Sequence, residues 1–142
     1  MSKVFPYFFQ TKIFNEFVNP RNAQGSFHEA LKALWKKSTN SNLEYKAFGK
    51  PNKVQYEYAE TRFKSLEPSF GLEATSTKPD VFAIGDNPYS DIAGANGNGW
   101  KSVLVCTGVY QGTPDSNHHV HKATKVTSDV YQAVKWIIES YR

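Results

Sequence analysis

The sequence has a single cysteine, Cys106, so no disulfide bond can form within the chain. No apolar run approaches the ~20 residues that a membrane-spanning helix needs, and we therefore expect no membrane span. The N-terminus has neither the charged and apolar regions of a secretory signal nor the Arg-rich, Ser-rich pattern of a transit peptide. No targeting segment is therefore predicted within these 142 residues.

The chain also has only a small excess of positive over negative charge. The chain has 17 Lys and Arg residues and 13 acidic residues, which gives a net charge of +4, and the basic residues are scattered along the chain. Because nucleic-acid binding requires clustered basic side chains, we expect no nucleic-acid partner. Aromatic residues are plentiful, with 10 Phe, 8 Tyr and 3 Trp. Together with the other apolar residues they suffice for the core of one domain of this length.

From residue 43 onward the hydrophobic pattern alternates between short strands and helices. Strands are predicted over 43–48, 81–84, 101–106 and 123–127. Helices are predicted over 26–38, 53–64, 88–96 and 128–141, and a surface loop is predicted over 65–79. Gly94 interrupts the helical pattern of 88–96. Alternation of this kind predicts an α/β fold, with a parallel sheet and flanking helices.

Two serines are predicted to cap helices. Ser26 has Glu29 three residues later, which is the pattern of a capping box. Ser128 stands before the apolar residues of the last predicted helix. Both predictions rest on the ability of a serine hydroxyl to accept a hydrogen bond from a free backbone N–H of the first helical turn.

The stretch from 81 to 96 carries the clearest candidate site. An apolar run at 81–84 is typical of a buried parallel strand, Gly85 permits a tight turn, and Asp86 and Asp91 follow. Open α/β sheets bind their ligands at the carboxyl ends of the strands, and two carboxylates there suit a hard cation such as Mg²⁺. The alternative is that Asp86 caps the next helix and that Asp91 is a surface acid.

Two further features of the sequence each have more than one interpretation. Lys50, between Gly49 and Pro51, follows a predicted strand, but taken alone it is most simply a surface lysine. The three histidines of the run His118–His121 could bind Zn²⁺ or Cu²⁺, or they could belong to a solvated polar loop without a ligand.

Taken together, Lys50 and the acidic pair in GDNPYSDI resemble the haloacid dehalogenase (HAD) superfamily of phosphohydrolases. Lys50 matches the lysine motif of that family, and Asp86 and Asp91 match its acidic Mg²⁺ motif. The match is closest to the class IIA branch, in which a large cap is inserted before the lysine motif. The phrase AFGKPNKVQYEYAE is similar to a eukaryotic subgroup that is associated with mitochondria.

The resemblance implies an organisation in two parts. Residues 1–46 would be the C-terminal remnant of an α/β cap, and residues 47–142 would be the C-terminal half of a Rossmann-like (HAD-like) core. It also implies a mitochondrial location; without the resemblance, a cytoplasmic one is expected.

The resemblance also implies a chemistry. The family hydrolyses small phosphate monoesters through an aspartyl-phosphate, with Mg²⁺ held by Asp86 directly and by Asp91 directly or through water. Lys50 would stabilise the charge on the phosphoryl oxygens. Asn87 is expected to hold the geometry of the loop that carries the two acids.

The chain departs from the family in one respect. The nucleophile and its acid/base partner lie in a D-x-D motif, yet no two aspartates here have that spacing and none precedes Asp80. Without the nucleophile the covalent step cannot follow the family's mechanism, so we expect a C-terminal fragment that is inactive alone. Half a sheet would also expose an apolar edge at 81–84. The alternative function is a non-catalytic interaction module, which would pair through this edge with the N-terminal half or with a second copy.

Overall fold

The computed structural model describes residues 24–71 and 79–141. The chain divides into two compact units, residues 1–46 and 47–142. Predictions that concern residues 1–23, and part of the loop predicted at 65–79, lie outside the described residues. The assignment of the first unit to a cap stays a prediction.

The described part of the first unit is built on helix α1, Gln24–Thr39. The helix already includes Gln24 and Gly25, so Ser26 lies inside its first turn, and the prediction of Ser26 as the N-cap is wrong. Glu29 forms an ion pair with Lys32 on the same helix face, with 2.7 Å between the carboxylate and the ammonium. Such pairs three residues apart support the helix that carries them.

Residues 42–48 form neither a helix nor a strand, so the strand predicted at 43–48 is wrong. Tyr45, which contributes to the period-two pattern, packs instead on α1. Its ring centroid lies 6.2 Å from that of His28, and the Lys32 ammonium lies 5.0 Å above it. Tyr45 therefore contacts a helix and not a partner strand.

The second unit contains a three-stranded parallel sheet in the order β1–β2–β3. The strands are β1 (Phe82–Gly85), β2 (Lys101–Val105) and β3 (Lys125–Thr127). This confirms the predicted parallel sheet with flanking helices, and it puts β2 in the centre. Within the described residues β1 pairs with β2 alone, so its other edge has no strand beside it.

Helix α2 (Val54–Leu66) continues into a short 3-10 helix, Glu67–Phe70. The single helix predicted over 88–96 is instead a π-helical turn, Pro88–Ile92, followed by α3 (Ala93–Gly97). Gly94 lies inside α3 and does not interrupt it. The π-helical turn forms because the Asn87 carbonyl accepts the backbone N–H groups of Ser90, Asp91 and Ile92.

The last helix, α4, spans Val130–Ser140 and is capped by Asp129. The Asp129 carboxylate accepts the backbone N–H of Gln132 at 2.9 Å. The prediction of Ser128 as the cap is therefore wrong by one residue. The Ser128 hydroxyl donates to the Asp129 carboxylate at 2.9 Å, so it supports the capping residue from outside the helix.

The core has two apolar clusters that use alternate residues of β2, as the pleat of a strand requires. Leu104 packs with Ile92, Ala123 and Val126, while Cys106 and Tyr110 border this cluster. Val103 and Val105 pack with Ala133, bordered by Phe82, Trp136 and Ile137. None of the described helices combines the length and the apolar character that crossing a membrane requires.

Candidate active site

The fold brings two of the three predicted site residues into direct contact. The Lys50 ammonium donates to Asp91 Oδ1 at 2.5 Å, although the two residues stand 41 positions apart in the sequence. The Asp91 side chain is 11% exposed and that of Lys50 is 57% exposed. The pair therefore has a fixed carboxylate and a cation that still reaches solvent.

Asp91 is held from a second side by the turn that precedes it. Its Oδ2 accepts the backbone N–H of Asn87 at 3.0 Å. The Asn87 side chain in turn accepts the backbone N–H of Tyr89 at 3.0 Å. Both carboxylate oxygens of Asp91 are thus engaged by donors, and Asn87 organises the loop between the two acids, as expected from the sequence.

Asp86 lies directly after β1 and is anchored by the loop that follows β2. Its Oδ2 accepts the backbone N–H of Val109 at 2.6 Å, and its carbonyl oxygen accepts that of Tyr110 at 3.0 Å. Within residues 24–71 and 79–141, no donor binds its Oδ1. Asp86 therefore offers one carboxylate oxygen to a ligand, while the other oxygen fixes its orientation.

Two glycines provide the space that these carboxylates occupy. A Cβ atom at Gly108 would lie 2.0 Å from Asp86 Oδ2, and one at Gly85 would lie 2.4 Å from Asp91 Cβ. Gly85 is therefore required for close packing, in addition to the turn that the sequence suggested. Gly108 was not predicted as part of the site, and its contact with Asp86 shows this role only in the folded structure.

The charges of the site act on one another. The hydrogen bond to Asp91 raises the pKa of Lys50 above its ordinary value, partial burial opposes this, and the charges of Asp91 and Asp86 add to it. Lys50 is therefore a stable cation facing two acids. This is the charge pattern expected of a site that binds both a metal and an anionic group.

The site offers carboxylate oxygens of the kind that a divalent cation binds. Carboxylate oxygens suit Mg²⁺, and no donor from the described part of the chain engages Asp86 Oδ1. Among the described residues, no three His, Cys, Asp or Glu side chains group in a way that could hold a metal ion. Asp86 and Asp91 thus fit part of a Mg²⁺ coordination sphere, and their assignment as metal ligands stays a prediction.

The histidine run forms a structured turn next to this site. The backbone N–H of His121 donates to His118 Nδ1 at 3.0 Å, and the two rings stack with centroids 6.0 Å apart. The Tyr89 ring contacts both of them edge-on, at 5.0 and 5.1 Å. In the described chain the three histidines form no metal-binding group, so this run is a packed turn.

Comparison with known proteins decides the family. The sequence model of the HAD-hydrolase-like family matches residues 47–133. The chain belongs to the HAD-like hydrolase family. The match contains Lys50, Asp86 and Asp91, and it confirms the resemblance drawn from these residues. Enzymes of this family act on phosphate esters and generally use Mg²⁺.

Two curated relatives of this HAD-like chain are mitochondrial hydrolases. A cardiolipin synthase (CMP-forming)/mitochondrial hydrolase fusion protein of Schizosaccharomyces pombe is 35% identical over 89% of the chain. A mitochondrial hydrolase of Saccharomyces cerevisiae is 35% identical over 85% of the chain. The chain spans 20% of the length of the first relative and 38% of the second.

Solved structures agree with the fold. A hypothetical protein of Pyrococcus horikoshii aligns with a TM-score of 0.59 and 27% identity, over 84% of this chain and 38% of its own. The glycerol phosphate phosphatase of Mycobacterium tuberculosis, crystallised with magnesium, aligns with a TM-score of 0.50 and 23% identity, over 80% and 28%. The latter likeness supports the HAD-like α/β fold alone.

Proposed function

We propose that this chain provides the lysine and the acidic metal-binding part of a Mg²⁺-dependent phosphohydrolase site. The observation that carries the proposal is the contact between Lys50 and Asp91 beside Asp86, at the carboxyl end of β1. Ligands of open α/β sheets bind at this end of the strands. The substrate class is a small phosphate monoester, as in the family.

Each residue has a separate role in this proposal. Asp86 holds the metal directly through its open Oδ1, and Asp91, whose two oxygens are engaged, contributes through water and through Lys50. Bound Mg²⁺ would neutralise part of the phosphate charge and orient the phosphate. Lys50 is half exposed and keeps its proton, so its ammonium can bind a phosphoryl oxygen while it stays paired with Asp91.

The chain alone is proposed to be inactive. It contains no D-x-D motif, and the family's covalent step needs the nucleophilic carboxylate of that motif. We infer that the nucleophile comes from a polypeptide with the N-terminal half of the fold. The large share of the Saccharomyces cerevisiae hydrolase that lies outside the match is consistent with this.

Turnover of a phosphate monoester by the pure 142-residue chain tests this proposal. We expect no Mg²⁺-dependent release of phosphate above the rate of a Lys50→Met control. Turnover that depends on Mg²⁺ and disappears in Asp86→Asn would mean that the chain has its own nucleophile. The intact mass of the protein from its source cells complements the assay: a mass well above 16.1 kDa directs the search for D-x-D to the additional residues.

A second candidate function is a non-catalytic interaction module. Two features of the described residues favour it: β1 pairs with β2 alone, and Val130, Val134 and Ile138 of α4 are 59%, 44% and 48% exposed. An unpaired strand edge and exposed apolar side chains each favour association with another chain. Sedimentation of the pure chain tests whether it pairs with a second copy. A concentration-dependent dimer that Val134→Glu abolishes supports this pairing. A monomer at all concentrations excludes pairing with a second copy.

We also propose a mitochondrial location, because both curated relatives are named as mitochondrial hydrolases. Fractionation of the source cells with an antibody against this chain tests it. Recovery with the mitochondrial fraction is expected, and recovery in the cytosolic fraction contradicts it.

A further inference from the structure

We infer that Tyr56 is a positioning residue that holds the segment carrying Lys50 against the segment carrying Asp91. The inference rests on the proposed function, because it concerns the alignment of two residues of that site. It assigns Tyr56 no contact with substrate or metal.

A hydrogen-bonded turn connects Lys50 with Tyr56. Both the backbone N–H and the side-chain amide of Asn52 donate to the Gly49 carbonyl at 2.9 Å, and the Tyr56 N–H donates to the Lys53 carbonyl at 3.0 Å. Tyr56 then lies in the first turn of α2. A displacement of its ring therefore moves the backbone from which Lys50 projects.

The ring is buried, whereas the rest of α2 is not. Tyr56 is 6% exposed and is the one buried residue among the thirteen of α2. Its ring meets that of Trp100 edge-on, with centroids 5.1 Å apart. The Trp100 indole N–H also donates to Glu60 of α2 at 2.9 Å. These contacts fasten α2 to the segment that connects α3 with β2.

The tyrosine hydroxyl reaches the segment that carries Asp91. It rests against Gly94 in α3, where a Cβ atom would lie 2.0 Å from the hydroxyl oxygen. Gly94 follows Asp91 by three residues, so the contact lies one helical turn from the carboxylate. The absence of a side chain at 94 is therefore what lets α2 approach α3 closely enough for Lys50 to reach Asp91.

Electrostatics agree with this geometry. Burial raises the pKa of Tyr56 above its ordinary value and a hydrogen bond with Gln55 opposes this, while the charge of Asp91 raises the pKa and that of Lys50 lowers it. The hydroxyl thus lies within range of both members of the ion pair. The raised pKa keeps the hydroxyl protonated.

A merely structural anchor would stabilise α2 without aligning the pair, and Phe63 provides the matched control. It lies on the same helix and contacts the same indole at 6.4 Å, but it is 49% exposed and lies two turns farther from Lys50. Loss of either ring should destabilise the packing on Trp100. Only loss of Tyr56 should change the contact between Lys50 and Asp91.

The test is an NMR measurement on the full chain in metal-free buffer. The measured signal is the nuclear Overhauser effect between the Lys50 side-chain methylenes and the Asp91 β protons. The reference signal is the effect between the ring of Phe82 in β1 and the ring of Tyr141 directly after α4, whose centroids lie 4.8 Å apart. In Tyr56→Leu we expect the Lys50–Asp91 effect to fall at least twofold with the reference unchanged. Tyr56→Phe should restore most of it, and Phe63→Leu should leave it intact.

Equal intensities in wild type, Tyr56→Leu and Phe63→Leu overturn the inference. If Tyr56→Leu does not fold, Gly94→Ala perturbs the same contact from the other side, with Gly97→Ala, whose added Cβ meets open space, as its control. No loss in Gly94→Ala then overturns it as well. Because this readout needs neither metal nor turnover, it fails or succeeds independently of the proposed function.

Discussion

The Lys50 ammonium lies 2.5 Å from the Asp91 carboxylate, across 41 residues of sequence. The loop before α2 supplies the cation, and the π-helical turn after β1 supplies the acid. The pair exists only when these two segments pack together. Its integrity therefore reports on the assembly of the candidate site in the folded chain.

The two members of this pair should differ in what their removal costs. Lys50→Met leaves the Asp91 carboxylate, which is 11% exposed, without a cation. We expect a loss of about 1–3 kcal/mol in the free energy of unfolding, the usual cost of a buried polar group that loses its partner. Asp91→Asn leaves a solvated lysine and should cost less, and the double variant should recover part of the loss. Denaturant unfolding in chelator-containing buffer measures all three, and strictly additive losses contradict the pairing.

Gly108→Ala should disturb Asp86. The added methyl group would lie 2.0 Å from Asp86 Oδ2, so either the carboxylate or the loop after β2 must move. We expect a loss of about 1–3 kcal/mol in unfolding free energy, as for other overpacked sites. Gly97→Ala, which meets open space, is the control and should stay within about 0.5 kcal/mol of wild type. Equal stabilities of the two variants contradict the close approach at Gly108.

The cap of α4 gives a prediction about neighbouring residues. Asp129→Ala removes the acceptor for the Gln132 N–H, and we expect it to lower Tm by about 4 °C. Asp129→Asn should retain most of the stability, because asparagine is an equally good N-cap. Ser128→Ala should have the smaller effect, since Ser128 only supports the cap. Thermal unfolding by circular dichroism ranks the three variants, and a larger loss in Ser128→Ala reverses the assignment.

His118 should make the stability depend on pH. Burial lowers the pKa of His118 below 6.5, and His119 and His121 lower it further, while the rings of Tyr89 and Tyr110 pack edge-on against it. The stabilisation is complete above the unfolded-state pKa of 6.5 and is lost as the pH falls through the lower folded-state value. Protonation of Nδ1 would also break its bond to the His121 N–H.

Unfolding free energies measured from about pH 7.5 to 5 check this dependence. Wild type should lose stability over this range. His119→Gln removes one of the two charges that lower the pKa of His118, so it should lose somewhat less than wild type. His118→Gln should lose the least. Identical pH profiles for wild type and His118→Gln contradict the prediction.

The parallel sheet could be predicted from the sequence because its strands are short apolar runs, such as Val103-Leu104-Val105 of β2, separated by helical patterns. The strand predicted at 43–48 failed because alternation alone cannot tell whether a partner strand is present. The two capping serines failed for a more local reason. A helix can begin one or two residues from the best capping sequence when another residue, as Asp129 does, accepts the free N–H.

The candidate site was predictable in its charged residues and not in its packing. Lys50, Asp86 and Asp91 stand in recognisable motifs. Tyr56 and Gly108 were not predicted as site residues, because what each does depends on an atom from a distant part of the chain: Gly94 for the first and Asp86 for the second. Contacts of this kind leave no local periodicity in a single sequence, and only the folded backbone reveals them.

Mg²⁺ binding by the pure chain tests the central claim most directly. Thermal unfolding is measured against Mg²⁺ concentration for wild type, Asp86→Asn and Asp80→Asn. Asp80→Asn is the control, because it removes an exposed acid that lies before β1 and pairs with Lys101. At ten times its dissociation constant, Mg²⁺ should stabilise wild type and Asp80→Asn by about 1.4 kcal/mol, and Asp86→Asn should show no stabilisation. Equal stabilisation of wild type and Asp86→Asn, or none in wild type, would contradict the assignment of Asp86 as the metal ligand.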